Sequence, residues 1–370
     1  MSSLATLLAR LTVEGELYEK LPDGSVRCFA CGHRCLIREG RRGICQVRFN
    51  QGRTLRVPHG YVAALQSDPI EKKPFSHILP GTHALTFGML GCDYHCTYCQ
   101  NWLTSQAMRD PASNVSAQFV REMTPSQMVG YARQTNAAVV VSSYNEPLIT
   151  SEWAVSIFKE AKANGLMCAY VSNGNNTPEV MDYLLPWLDA YKIDLKCMSE
   201  GNYRKLGGTL RHTLEGIQRA HAAGLWVEVV TLVIPGFNDS NEELWEAARF
   251  LADLSIDIPW HVTAFHKDYK MTDPENTDAR TLIRAAEIGR EAGLRYVYAG
   301  NLPGMVSEYE DTHCPGCNHR VVRRRGYTIL EYHVTAGGKC PKCGHKIAGR
   351  WHKDPADAPL GGIGFPVSLH

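Results

Sequence analysis

Three cysteines fall within eight positions in GCDYHCTYCQNW, residues 91–102, where Cys92, Cys96 and Cys99 form a C-x3-C-x2-C pattern. Thiolates are soft ligands that suit zinc or iron–sulfur clusters. Structural zinc usually takes four protein ligands, whereas an open metal position marks a catalytic centre. A cubane 4Fe-4S cluster fits the count of three, because three corners are held by cysteine and one iron is left for another ligand. The alternatives are a three-thiolate zinc site and partly buried spectator thiols.

Ten further cysteines bring the total to 13 in 370 residues. HCPGC and KCPKCGHK give C-x2-C-x22-C-x2-C, so Cys314, Cys317, Cys340 and Cys343 read as a four-thiolate zinc ribbon, with rubredoxin-like iron as the rival. Cys28, Cys31, Cys35 and Cys45 follow C-x2-C-x3-C-x9-C and read as a second four-thiol site for zinc or an auxiliary iron–sulfur cluster. Cys168 reads as a small core residue, and Cys197 as a thiol near the mouth of the site. Clustered thiols of this kind belong to reducing compartments. The amphipathic start MSSLATLLARL lacks a basic leader, and no apolar run is long enough to cross a bilayer. The expected location is cytoplasmic, with no membrane partner. A net charge of +1 exerts no global pull on nucleic acid, and 44% apolar with 21% charged residues fits a globular chain.

Short β-branched runs alternate with helical stretches from residue 82 onward. ALTFGML, AAVVVSS, MCAYVSN, AYKIDL, WVEVVTLVI and WHVTAF are predicted strands, with RYVYAGN as a seventh. Ser151 and Gly165 are expected to bound one intervening helix, and Ser240 with Glu243 to form a capping box on another. The alternation predicts an α/β fold with a parallel sheet, a partial (β/α)6 TIM-type barrel. Three regions are expected: a Cys-rich metal-binding segment (1–75), the barrel (76–305), and a zinc-ribbon-like module with its tail (306–370). HKDYKMTDPENTDAR (266–280) reads as a mobile polar loop. The three-cysteine loop follows the first strand, at the carboxyl end of the sheet, where barrels build active sites.

C-x3-C-x2-C with Tyr98 before the last cysteine resembles the signature of the radical S-adenosylmethionine (SAM) superfamily. DPIEKKPFSHILPG, SYNEP, SNG, IDLK, VEVVTLVIPGFND, PWHVTAFHKDYKM and YVYAGNLPG, in that order, look like the radical enzyme of the AmmeMemoRadiSam system, which is similar to glycyl-radical-enzyme activases. The resemblance implies that the open iron is chelated by the methionine part of SAM, and that one electron releases a 5′-deoxyadenosyl radical. It also implies an external low-potential donor such as flavodoxin or ferredoxin.

Further polar groups stand at the strand ends. The resemblance points to Glu146 for the SAM ammonium, with Asn145 beside it; a helix-entry acid is the plainer reading. SYNEP stands where related enzymes usually have Gly-Gly-Glu. Ser172 and Asn173 face a carboxylate, or simply form an Asn-Gly turn; activases often carry an acid where this chain has Val171. Asp194 and Lys196, two apart on a strand, share one face. They meet the charged ends of SAM or form a structural ion pair. Tyr98 is placed with these cofactor contacts. His261 reads as a structural histidine and His266 as a substrate candidate. Arg320, Arg323, Arg324 and Arg325 form either a solvated face or a phosphate-contacting patch, with Tyr327 and Tyr332 for stacking.

The expected function is radical cleavage of SAM and hydrogen abstraction from a macromolecule, an oxidoreductase-type reaction like that of the pyruvate formate-lyase activating enzyme. The target is a protein glycyl residue or RNA, with partner proteins of the same system. The contrasting expectation is a non-catalytic zinc-rich RNA-binding module.

Overall fold

A nine-stranded sheet organises the computed structural model, which describes residues 4–361 and 367–369. Its first strand, β1 (Ala64–Pro69), runs antiparallel to β2 (His83–Gly88). From β2 the sheet continues in parallel through β3 (Ala137–Ser142), β4 (Met167–Ser172), β5 (Ala190–Asp194), β6 (Trp226–Val233), β7 (Trp260–Ala264) and β8 (Val297–Gly300). Each lies beside its predecessor in the chain. A short strand, β9 (Val367–Ser368), pairs with the outer side of β1. All seven predicted strands are therefore present in an α/β fold with a large parallel sheet. β1 lies before residue 76, so the sheet begins within the lead segment.

Alternation along the strands decides which side chains reach the site. On β5, Tyr191 and Ile193 join the large core formed with the helices. Lys192 and Asp194 point the other way, into a cavity above a small apolar cluster of Ile70, Phe75, Val139, Val141, Ala169 and Ala190. Crossover helices cover the first face. The helix Ser151–Ala163, for example, buries Trp153, Ile157 and Phe158.

Two capping expectations are corrected. Ser151 does not cap its helix: a 3-10 turn (Pro147–Thr150) precedes it, and the Ser151 hydroxyl donates to the Leu148 carbonyl at 2.9 Å. Ser240 does accept the Glu243 N–H at 3.1 Å, but the Glu243 carboxylate is drawn off by the Met198 N–H at 2.6 Å, leaving the box half made. The 266–280 loop is tied down rather than loose. Lys270 donates its N–H to the Thr97 carbonyl (2.9 Å), and Tyr269 stacks on Trp102 with centroids 5.2 Å apart.

The ribbon docks on this sheet, and the chain entering β2 is held to it, through one buried polar knot. Glu228 of β6, fully enclosed, accepts from the N–H groups of Ser76 (2.9 Å) and His77 (3.0 Å), from Trp226 Nε1 (2.9 Å), and pairs with His261 Nε2 (2.7 Å). Burial opposes its ionisation, yet the histidine contacts prevail and hold its pKa below the usual value. His77 in turn reaches Tyr298 and the Ala348 carbonyl, each at 2.6 Å. A buried charge satisfied this fully is costly to disturb, about 3–5 kcal/mol for loss of one partner. Among the described residues, no helix is long and apolar enough to cross a membrane.

Candidate active site

The loop after β2 carries the three thiols. Gly91 opens it at φ +96°, a conformation that side chains disfavour, and a Cβ there would stand 2.8 Å from Val47. Cys92 and Cys99 are half-buried and Cys96 is buried; all three line a cavity of about 350 Å³ at the carboxyl ends of the strands. Cys92 Sγ accepts the Tyr94 N–H at 3.3 Å, and Cys99 Sγ lies 3.1 Å from the Ser105 hydroxyl. Burial pushes the Cys96 thiol up to about 12, with Lys196 pulling the other way. Metal charge would reverse such a shift and hold the sulfur as thiolate.

The predicted polar residues converge on the same cavity. Tyr98, Asn145, Glu146, Ser172, Asn173, Asp194 and Lys196 all line it. Glu146 accepts from Ser172 Oγ (2.7 Å) and from the backbone N–H groups of Asn173 (2.8 Å) and Leu148 (3.1 Å). Burial, then the charge of Asp93, still raises its pKa to about 8. A bound cation would relieve that penalty. Asn145 is partly occupied, because its Oδ1 accepts the Met89 N–H at 3.0 Å and fixes the end of β2. Asp194 sits between Lys196 (2.7 Å) and Lys192. Burial opposes ionisation, but the two ammonium groups outweigh it and hold the pKa at about 2.

Other residues in or beside the cavity had no assigned role in the sequence reading. Lys192 belongs to the same alternation as Asp194 and Lys196, a signal already present in KIDLK. Asp93 is enclosed and accepts from Asn173 Nδ2 (2.7 Å) and Asn175 Nδ2 (2.8 Å), so it aims the β4 loop at the cysteines. Asp68 of β1 gathers Lys72 (2.8 Å), Lys73 (2.7 Å) and the Tyr144 hydroxyl (2.5 Å) at one wall. Burial lowers the Lys73 pKa to about 8 despite that partner. The Asp68–Lys72 spacing of four stands in DPIEKKP itself, whereas the Tyr144 contact does not, because it comes from the loop after β3.

The remaining residues separate. Cys168 is a core thiol, as expected. Cys197 does not reach the mouth: it is buried beneath the loop beside Tyr203 and Ile234, with Sγ directed at the Ser199 carbonyl. His261 is held by Glu228, whereas exposed His266 lines a second cavity of about 370 Å³. The two cavities share Lys72, Pro74, Gln100, Thr263, Asn301 and Tyr327 in their walls.

In the ribbon, the Sγ atoms of Cys314, Cys317, Cys340 and Cys343 all lie within 4.8 Å of one another. The Cys314–Cys343 and Cys317–Cys340 separations are 3.6 and 3.7 Å. A tetrahedral zinc site with bonds of about 2.3 Å has sulfur–sulfur edges of about 3.8 Å, so the site is compatible with zinc. The expected arginine patch is largely spent. Arg324 is buried and donates to Ser76 O (2.8 Å) and Thr312 Oγ1 (2.7 Å), while Arg320 and Arg323 pair with Glu331 at 3.3 and 2.9 Å. Tyr332 packs against Trp351, and Tyr327 turns into the cavities.

A large parallel sheet with three cysteines at the mouth of a polar cavity defines a class of enzyme rather than a structural metalloprotein. The sequence profile of the Radical SAM superfamily matches residues 87–251. The chain is 36% identical to an uncharacterized protein of Methanocaldococcus jannaschii over 90% of this chain and 98% of that one. It is 28% identical to the pyruvate formate-lyase-activating enzyme of Staphylococcus epidermidis, covering 51% of this chain and 78% of that one. A domain of a pyruvate formate-lyase-activating enzyme from Bacteroides vulgatus matches with a TM-score of 0.39 at 22% identity, over 44% of this chain and 98% of that one. The chain belongs to the radical SAM superfamily and is an enzyme of that class, similar to glycyl-radical activases. Its residues fit the implied groups: three soft donors outside any disulfide, a buried acid and an Asp–Lys cluster line one cavity.

Proposed function

We propose that this is an oxidoreductase-type radical SAM enzyme of the AmmeMemoRadiSam system, built on a partial barrel, that abstracts hydrogen from a macromolecular substrate. The observation that carries the reading is convergence. Cys92, Cys96 and Cys99 hold three corners of a 4Fe-4S cluster, and the groups that suit a zwitterion line the same 350 Å³ cavity. Glu146 takes the ammonium of SAM, with Ser172 and Asn173 holding that carboxylate in place. Lys192, Lys196 and Asp194 meet the opposite end. Held there, such a cluster would supply low-potential electron transfer to SAM, with a flavodoxin- or ferredoxin-type carrier as its reductant. The chain's own task is orientation and exclusion of water and stray thiols.

Support for an activase-like target comes from the curated relatives, and the second cavity offers a place for a substrate group beside the first. The paired state of Arg320, Arg323 and Arg324 removes support from an RNA-stacking ribbon. The ribbon itself is assigned zinc, and the enzyme a cytoplasmic location. Cys96→Ala is expected to abolish 5′-deoxyadenosine formation under anaerobic reducing conditions while the ribbon keeps its metal. Undiminished formation by that variant would reject the assignment.

A further inference from the structure

We propose that Cys28, Cys31, Cys35 and Cys45 hold a second 4Fe-4S cluster, seated behind the three-cysteine loop. The inference goes beyond the proposed activity and stands on different residues. Its first support is spacing. The ribbon thiols close to within 4.8 Å of one another, as a single metal ion requires. Among the described residues no other set closes in this way, although backbone bonds at Cys28, Cys31 and Cys35 and the Ile44 N–H on Cys35 Sγ bring the four thiols to one end of the segment. A mononuclear ion must draw all four sulfurs together. A cubane binds each sulfur to a different iron, with inorganic sulfide between, and keeps them further apart. The Cys92 loop shows the same pattern of converging without closing.

Local structure favours a cluster as well. The Cys28 N–H donates to the Cys35 carbonyl at 3.0 Å, at the end of a hairpin, and Arg34 closes a turn onto the Cys31 carbonyl at 3.0 Å. These bonds bring three thiols to one end of the hairpin, and the 43–46 turn returns Cys45 to them. Cys35 Sγ accepts the Ile44 N–H at 3.5 Å, a contact of the kind that tunes iron–sulfur sites. Cys28, Cys31 and Cys45 are buried, and all four thiols are unpaired as disulfides.

Position gives the site its relation to the first cluster. A Cβ on Gly91 would meet the Cys45 carbonyl at 3.1 Å, and Gly32 donates to the Asn175 carbonyl at 2.9 Å. Arg109 clamps the two loops, donating to the Tyr94 carbonyl at 2.6 Å and to the Ile44 carbonyl. Asp93, next to Cys92, accepts from Asn175 Nδ2 at 2.8 Å, and the same Asn175 takes the Gly32 N–H on its carbonyl, which links the two cysteine segments.

Metal and sulfide analysis of the anaerobically reconstituted full-length protein tests this. The expected content is about eight iron, about eight acid-labile sulfides and one zinc per chain. The combined variant Cys92→Ala, Cys96→Ala, Cys99→Ala should keep half of the iron and sulfide and the paramagnetic signal of a reduced 4Fe-4S cluster. About four iron with two zinc in the native protein would overturn the proposal, as would a folded variant that holds no iron. The native count decides even where the variant does not fold. Should the second cluster be absent, the iron of the Cys92 loop and 5′-deoxyadenosine formation would remain, so the two assignments fail separately.

Discussion

Glu146 accepts three hydrogen bonds, which favour its ionised form, yet its pKa rises to about 8. Enclosure and the neighbouring Asp93 charge prevail over the donors. In SAM-free protein, the folded carboxyl keeps a proton that the unfolded chain releases near 4.5. The folded state then binds more protons than the unfolded one, so stability falls as pH rises from about 4.5 to about 8. Glu146→Gln removes this contribution. Denaturant titrations across that window should show a pH slope shallower by about 1.4 kcal/mol per pH unit than wild type. An unchanged slope would place the acid in a more solvated setting. At this scale the sequence was partly legible. Glu146, Asp194 and Lys196 could be picked out because each ends a recognisable strand. Asp93 could not, since its partners Asn173 and Asn175 lie some 80 residues further along the chain.

The elements that position these residues differ in how plainly they announce themselves. The seven parallel strands were readable because β-branched runs alternate with helical stretches, the pattern of a parallel sheet with crossover helices. The loop at 266–280 was not, because its anchors are single contacts. Tyr269 and Lys270 both reach Asp110, at 2.6 and 2.8 Å, and Trp102 stacks beneath Tyr269. Lys270 and Tyr269 hold the Asp110 carboxyl at a pKa of about 2, so the tie is present at neutral pH and weakens only in strong acid. Composition marks such a loop as polar and says nothing of where it lands. Asp110→Ala should free it. Native-state hydrogen exchange is expected to quicken several-fold at the Lys270 amide, which is bonded to Thr97, with little change in the core strands. Equal protection in the variant would mean that the Trp102 stack alone suffices.

Across the whole molecule, the ribbon and the lead segment are joined to the sheet through contacts that no local pattern encodes. Tyr296, just before β8, and Tyr298 within it share a core with Val321, Val322, Ile329 and Ile347 of the ribbon. Arg324 reads as a member of a surface charge run but is buried over the Tyr298 ring at 5.7 Å, tying the ribbon to Ser76. The ribbon thereby supplies Glu310, Arg324, Gly326 and Tyr327 to the second cavity, and only Tyr327 to the first. This division of walls separates two tasks. The cluster chamber is built almost entirely from the sheet and the lead segment, and the adjoining chamber depends on the ribbon. Cys340→Ser should release the ribbon's metal, because one thiolate of four is lost and small modules of this size lean on metal for stability. Tyrosine fluorescence and hydrogen exchange are expected to report loosening over 312–332. Substrate-independent 5′-deoxyadenosine formation should persist within about threefold, a change in barrier of well under 1 kcal/mol. Loss of that basal reaction together with the metal would show that the ribbon holds the cluster chamber itself in shape.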